Sequence, residues 1–312
     1  MPLGAPRTFA QGDAMDLFES GSCSIDFGGC TERLGYVSLF GEQVFLAHHQ
    51  RRSSTSPSAG ASILLCGPIG AERERSHRTI VELARFLARR GFDCYRFDYL
   101  GIGESSGRFE GQDFSAWRRQ IVALVERIRS TEQTGVVGLW GVRVGALLAS
   151  EAFAAGCGDG GFFCCALDGR PILVDIARRS LVASMIASSQ AVGAFNQGAT
   201  KSRSTTDTLG SGGAVSVDGY LWTPRLWSDA AEHRVRVPNE HERRAWSIVE
   251  LRPPRSGAND SSIVELRTPQ GRVILESERF WESSPHLIPR GTILADATAR
   301  WALSLCEEVV SS

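Results

Sequence analysis

Residues 135–150 read GVVGLWGVRVGALLAS. A β-branched run closes in Gly141-Val142-Arg143-Val144-Gly145, and a helix-forming stretch follows. With serine at its centre, such a strand-to-helix turn presents a nucleophile: the glycines relieve crowding, and the N–H after the nucleophile helps to bind an oxyanion. Gly141 and Gly145 stand at the required positions and Val144 supplies that N–H, but Arg143 takes the nucleophile's place. A guanidinium stays protonated and only donates hydrogen bonds, so it cannot attack a carbonyl. At a helix N-terminus the dipole and free N–H groups favour anions. A cation there therefore calls for an acidic neighbour, either a protein carboxylate such as Glu72 or Asp98 or an anionic ligand held by the guanidinium fork. The plainer alternative is an arginine making local hydrogen bonds on a vacant turn.

Other residues could complete a site. CGPIGAERERSHR (66–78) offers Gly67, Gly70 and the Ala71 N–H as oxyanion donors, whereas Pro68 has none to give. Glu72 would then favour the start of a helix through its dipole. In FDYLGIGESSG (97–107), Asp98 and Ser105 are suited to bracing a glycine-rich loop. Its Gly-Ile-Gly does not open directly into a helix, so it is not a phosphate-binding fingerprint. Asp168 follows an apolar run near the crevice and is the candidate acid. Asp175 and Asp229 are less well placed, and His286 is the candidate base after the last strand. His48, His49, His233 and His241 read as structural or solvated. The eight cysteines show no metal-ligand spacing, and neither a metal nor a cofactor is implied.

These residues need a scaffold. The stretch 36–50 alternates as a hairpin, and 61–66, 92–97, 135–142 and 161–167 read as buried strands. Helical spacing covers 71–91, 113–130, 143–157 and 172–188. Strand and helix alternate four times, which gives an α/β fold: a doubly wound, mostly parallel sheet with helices on both faces. Its ligand crevice lies at the carboxyl ends of the strands, beyond Cys66, Phe97, Trp140 and Leu167. Residues 1–34 read as a loose leader, and 190–245 as a mobile insertion or partial cap within a single 1–312 domain. A short hairpin and helix are expected at 214–232, strands at 245–254 and 261–281, and a last helix at about 290–309.

The composition is that of an ordinary folded protein, 42% hydrophobic and 22% charged. A net charge of -1 argues against nucleic acid as a partner. No apolar run approaches the roughly 18 residues of a membrane span. The first twenty residues lack the apolar centre of a secretory signal, which suggests a cytoplasmic protein with reduced cysteines.

In order along 61–305, PIGAERERSHR, FDYLGIGESSG, LWGVRVGALLA, LDGRPILVDIARRSLVASM, VSVDGYLWTP and FWESSPHLIPRGTILADAT resemble the second type of exosortase A system-associated hydrolases. That resemblance implies an α/β-hydrolase fold, a cytoplasmic setting and a place near polysaccharide export, with a protein partner there. It also makes Arg143 a family trait. The family's first loop is richer in Pro-Phe-Ala-Glu-Glu than Gly70-Ala71-Glu72-Arg73, which leaves the Glu72 assignment open by one position. Two functions stay open. One is an ester or acyl hydrolase with a degenerate elbow, its water activated by Glu72, Asp168 or His286. The other is an inactive binding or scaffold protein that holds a small anionic ligand or a partner's carboxylate in the crevice.

Overall fold

The computed structural model describes residues 17–18, 22–51, 61–132, 135–191, 204–239, 242, 244–253, 270–282 and 292–310. Fully apolar strands lie at its centre. β4 (Ala61–Cys66), β6 (Val136–Val142) and β7 (Gly160–Cys164) are buried at every position, as strands covered on both faces must be. β5 (Asp93–Phe97) and β10 (Ala245–Arg252) flank them in parallel, and β11 (Gln270–Glu276) extends the parallel side. β1 (Cys23–Phe27), β2 (Cys30–Leu39) and β3 (Glu42–Gln50) add an antiparallel wing through β5. The nine-stranded order is β1-β2-β3-β5-β4-β6-β7-β10-β11.

Successive side chains on a strand point to opposite faces, so each central strand feeds two cores. Leu64 and Cys66 pack beneath α2 (Phe114–Glu132), α3 (Val144–Ala154) and α4 (Gly169–Ala191). Ile63 and Leu65 pack beneath α1 (Gly70–Ala88) and α7 (Thr292–Val310). In α1, Ile80, Leu83, Ala84 and Leu87 form the buried stripe, and Gly91 at φ 95° ends the turn that follows. Every residue of α3 from Val144 to Phe153 is buried, which suits a helix apolar on all sides and enclosed between the sheet and its neighbours.

The described structure departs from the sequence expectations near the N-terminal end. Residues 23–34, expected to be a loose leader, form β1 and the first half of β2; the hydrogen-bonded pairing of an edge strand holds β1 although all five of its residues are exposed. Within 190–245, the short hairpin and helix expected at 214–232 are present, and the segment 204–239 packs onto the core. Ser204 caps α5 (Thr205–Gly210), β8 (Val215–Val217) pairs with β9 (Tyr220–Trp222), and Thr223 caps α6 (Pro224–Asp229). Leu209, Val217, Trp222 and Leu226 carry this segment into the core. Most of the strand expected at 261–281 lies outside the described residues; its described part is β11.

Candidate functional site

The elbow is defined by its backbone. Arg143 sits at φ 58°, ψ −120° between the end of β6 and the start of α3. A non-glycine residue held there costs on the order of 1–3 kcal/mol, which the surrounding structure must offset. The glycines make that geometry possible. A Cβ at Gly145 would lie 2.0 Å from the Cys66 carbonyl oxygen, and one at Gly141 2.6 Å from the Ala146 Cα. The Arg143 N–H donates to the Cys164 carbonyl at 3.0 Å and ties the turn to β7.

The guanidinium is buried, 4% exposed, and meets two carboxylates. Its Nε lies 3.2 Å from Glu72 Oε1 and its Nη2 3.1 Å from the same oxygen. Nη2 also donates to Asp175 Oδ2. Arg179 donates to Glu72 as well, and to Asp175 at 3.0 Å. The result is a closed square of two arginines and two carboxylates joining α1, the elbow and α4. Burial opposes the Arg143 charge, but Glu72 first and Asp175 next outweigh it and hold its pKa above the ordinary value. Glu282 reaches Arg179 at 3.7 Å and Arg279 at 3.5 Å, and the Trp281 ring centroid lies 5.5 Å from the Arg143 Cζ.

A cavity of about 580 Å³ opens beside this square at the carboxyl ends of β7, β10 and β11. Arg143, Cys165, Asp168, Asp175, Arg272, Arg279 and Trp281 are among its lining residues. A second cavity of about 610 Å³ shares Asp175, Arg279 and Glu282 with it and adds Arg75, Arg178, Arg179 and apolar Val182, Ala183 and Ile186. Together their walls carry six arginines against four carboxylates. Arg75, Arg178 and Arg272 have no ion pair among the described residues, so the surplus is positive.

The structure separates the other candidates. Asp98 is not a partner of Arg143: Arg73 grips it with two hydrogen bonds, at 2.9 and 2.6 Å, because the loop after β5 turns towards α1. The Ser105 hydroxyl donates to the Asp98 carbonyl at 2.5 Å and accepts the Phe45 N–H at 2.9 Å. Gly67, Gly70 and Ala71 do not line the large cavity; Gly67 and Asp98 line a separate void of about 30 Å³. Gly141 and Val144 are buried within the turn. Asp168 lines the large cavity, but its Oδ1 accepts the Val235 N–H at 2.8 Å and so braces that segment. His286 and His241 lie outside the described residues. No histidine among the described residues lines the crevice.

Sequence reasoning underrated Asp175 and Asp229 and passed over Cys165, whereas His233, read as structural or solvated, is buried in a structural group. Asp175, judged less well placed, touches the elbow arginine because α4 begins at Gly169 and runs past it. Its i,i+4 spacing to Arg179 was the available signal. His233 is buried, with Glu151 at 2.6 Å, Asp229 at 3.3 Å and the Ser115 hydroxyl at 3.2 Å. Asp229 also accepts the Ser115 N–H at 2.9 Å, so this group pins the start of α2 to the segment after α6. Cys165 stood out in no pattern except as half of an adjacent cysteine pair.

Comparison with solved structures places this architecture. Est1E from Butyrivibrio proteoclasticus matches with a TM-score of 0.55 at 13% identity, over 88% of this chain and 99% of that one. A soluble variant of monoglyceride lipase from Saccharomyces cerevisiae, solved with a substrate analogue, matches with a TM-score of 0.52 at 13% identity, over 87% and 95%. No protein-family model matches the chain, and no curated protein matches it. The chain therefore has the α/β-hydrolase fold, with an arginine at the elbow.

Proposed function

We propose that this α/β-hydrolase-fold protein binds an anionic acyl compound in the paired cavities and does not use its elbow as a nucleophile. The observation that carries this reading is the Arg143 side chain, turned inward and paired with Glu72 and Asp175 at the nucleophile's place. Unpaired Arg75, Arg178 and Arg272 supply the attraction for an anion, and Val182, Ala183 and Ile186 supply an apolar wall for an acyl chain. The resemblance to exosortase-associated proteins adds the setting: a cytoplasmic protein acting beside exopolysaccharide export, with a partner there. Exopolysaccharide genes flanking its own gene are expected; a neighbourhood without them removes that association.

The test uses the purified full chain. A fluorophosphonate probe is expected to leave the protein unlabelled, and octanoate is expected to raise its melting temperature. The double variant Arg75→Ala/Arg178→Ala changes side chains without ion pairs among the described residues, so it should fold and lose most of that stabilisation. Labelling by the fluorophosphonate, or undiminished stabilisation in the double variant, overturns the proposal.

A further inference from the structure

Beside the elbow, on the neighbouring strand end, stands Cys165, the one thiol or hydroxyl side chain among the described lining residues of the 580 Å³ cavity. Its backbone is left-handed, at φ 50°, a conformation that β-strand continuation would not produce and that carries a cost for a non-glycine residue. That turn is fastened at two points to β10. The Cys165 N–H donates to the Val249 carbonyl at 2.7 Å, and the Leu251 N–H donates to the Cys165 Sγ at 3.2 Å. A backbone donor aimed at sulfur favours the anion over the thiol.

The surroundings act in the same direction. A hydrogen bond with Cys164 comes first, burial opposes it, and the Leu251 N–H with the charges of Arg143 and Arg279 completes the balance, leaving the thiol below its ordinary pKa. Cys66, Cys94 and Cys164, fully buried, are pushed well above theirs. A second observation points to a ligand at this place. Trp281 lines the same cavity, is 1% exposed, and has an indole N–H with no acceptor among the described residues. Buried indole donors are normally satisfied, so the wall holds a donor that lacks its acceptor.

We propose that Cys165 is the covalent acceptor of the crevice, taking an acyl group from an activated carbonyl compound, a thioester or an aryl ester. The proposal rests on the acyl-binding reading above and adds a reacting atom to it. The Cys165 thiolate attacks the carbonyl carbon and forms a C–S bond. The bond to the leaving thiolate or phenolate breaks, and the leaving group departs with its electron pair. The proton lost from the Cys165 thiol goes to water, and no oxidant or reductant is needed.

Two measurements on the full chain test this. The first is competitive alkylation by iodoacetamide, read by peptide mass spectrometry. Cys165 is expected to react at least tenfold faster than the exposed Cys23. The second is incubation with p-nitrophenyl acetate, which is expected to add one acetyl group to the Cys165 peptide and none to any peptide of the Cys165→Ala variant. Alkylation of Cys165 no faster than that of Cys23, or an acetyl group found elsewhere in the wild type, overturns the proposal. Octanoate stabilisation of the wild type reports separately on the binding reading, so failure of one is told apart from failure of the other.

Discussion

A single oxygen pair, that of Glu72, holds the site together. It accepts from both Arg143 and Arg179 while the residue is 2% exposed. A buried ion pair adds little net stability when complete, but losing one member strands the others and costs about 3–5 kcal/mol. Glu72→Gln is therefore expected to lower the urea midpoint by an amount in that range. Combining Glu72→Met with Arg143→Met is expected to cost less than the sum of the two single changes, by at least about 1 kcal/mol. Additive losses in that cycle would show that the two residues do not act as a pair. At this scale the sequence showed that an inward cation needs an acid, and it offered Glu72 and Asp98 as equals. Only the path of each loop distinguishes them, because Asp98 is already taken by Arg73. Asp175 was underrated because its reach depends on where α4 begins, which capping patterns did not mark.

Among the elements, α3 and β4 meet backbone to backbone. Gly145 brings α3 against the end of β4 so closely that an added methyl would overlap the Cys66 carbonyl oxygen at 2.0 Å. Neither backbone can yield without moving a buried strand. Gly145→Ala is therefore expected to destabilise by more than about 3 kcal/mol, at the severe end of single substitutions. Gly156→Ala provides the comparison: its φ is 88°, with open space around it, and only the backbone conformation is penalised, at about 1–2 kcal/mol. Equal melting temperatures for the two variants would show that the close approach does not limit stability. The central elements were legible because apolar runs and helical spacing alternate without interruption from β4 to α4. β1 was not, since an exposed edge strand is held by backbone pairing and leaves no apolar pattern to read.

Across the whole molecule, the antiparallel wing joins the parallel sheet where β3 meets β5, and His48 and His49 lie on that seam opposite Tyr95 and Cys94. His49 accepts a hydrogen bond from Arg96 Nε at 3.0 Å, so it is held neutral. Burial, then Arg96, Arg85 and His48, lower its pKa from 6.5 to about 3. The unfolded chain takes up that proton first, so stability is lost as pH falls from about 6.5 towards 3, by up to roughly 5 kcal/mol. In His49→Gln the loss of stability below pH 6 should be shallower than in the wild type. An identical pH profile in both proteins would exclude His49 as the acid-sensitive group. The seam itself was only half legible: the hairpin was read from alternation, but the charges that bury its histidines come from distant segments. The elbow arginine has one further consequence. A single codon change could place serine at position 143, yet it would strand Glu72 and Asp175 with only Arg179 to balance them. The mutant is expected to be less stable than its parent. Arg143 is thus locked in place by its partners, and a serine at this position calls for a compensating change at Glu72 or Asp175.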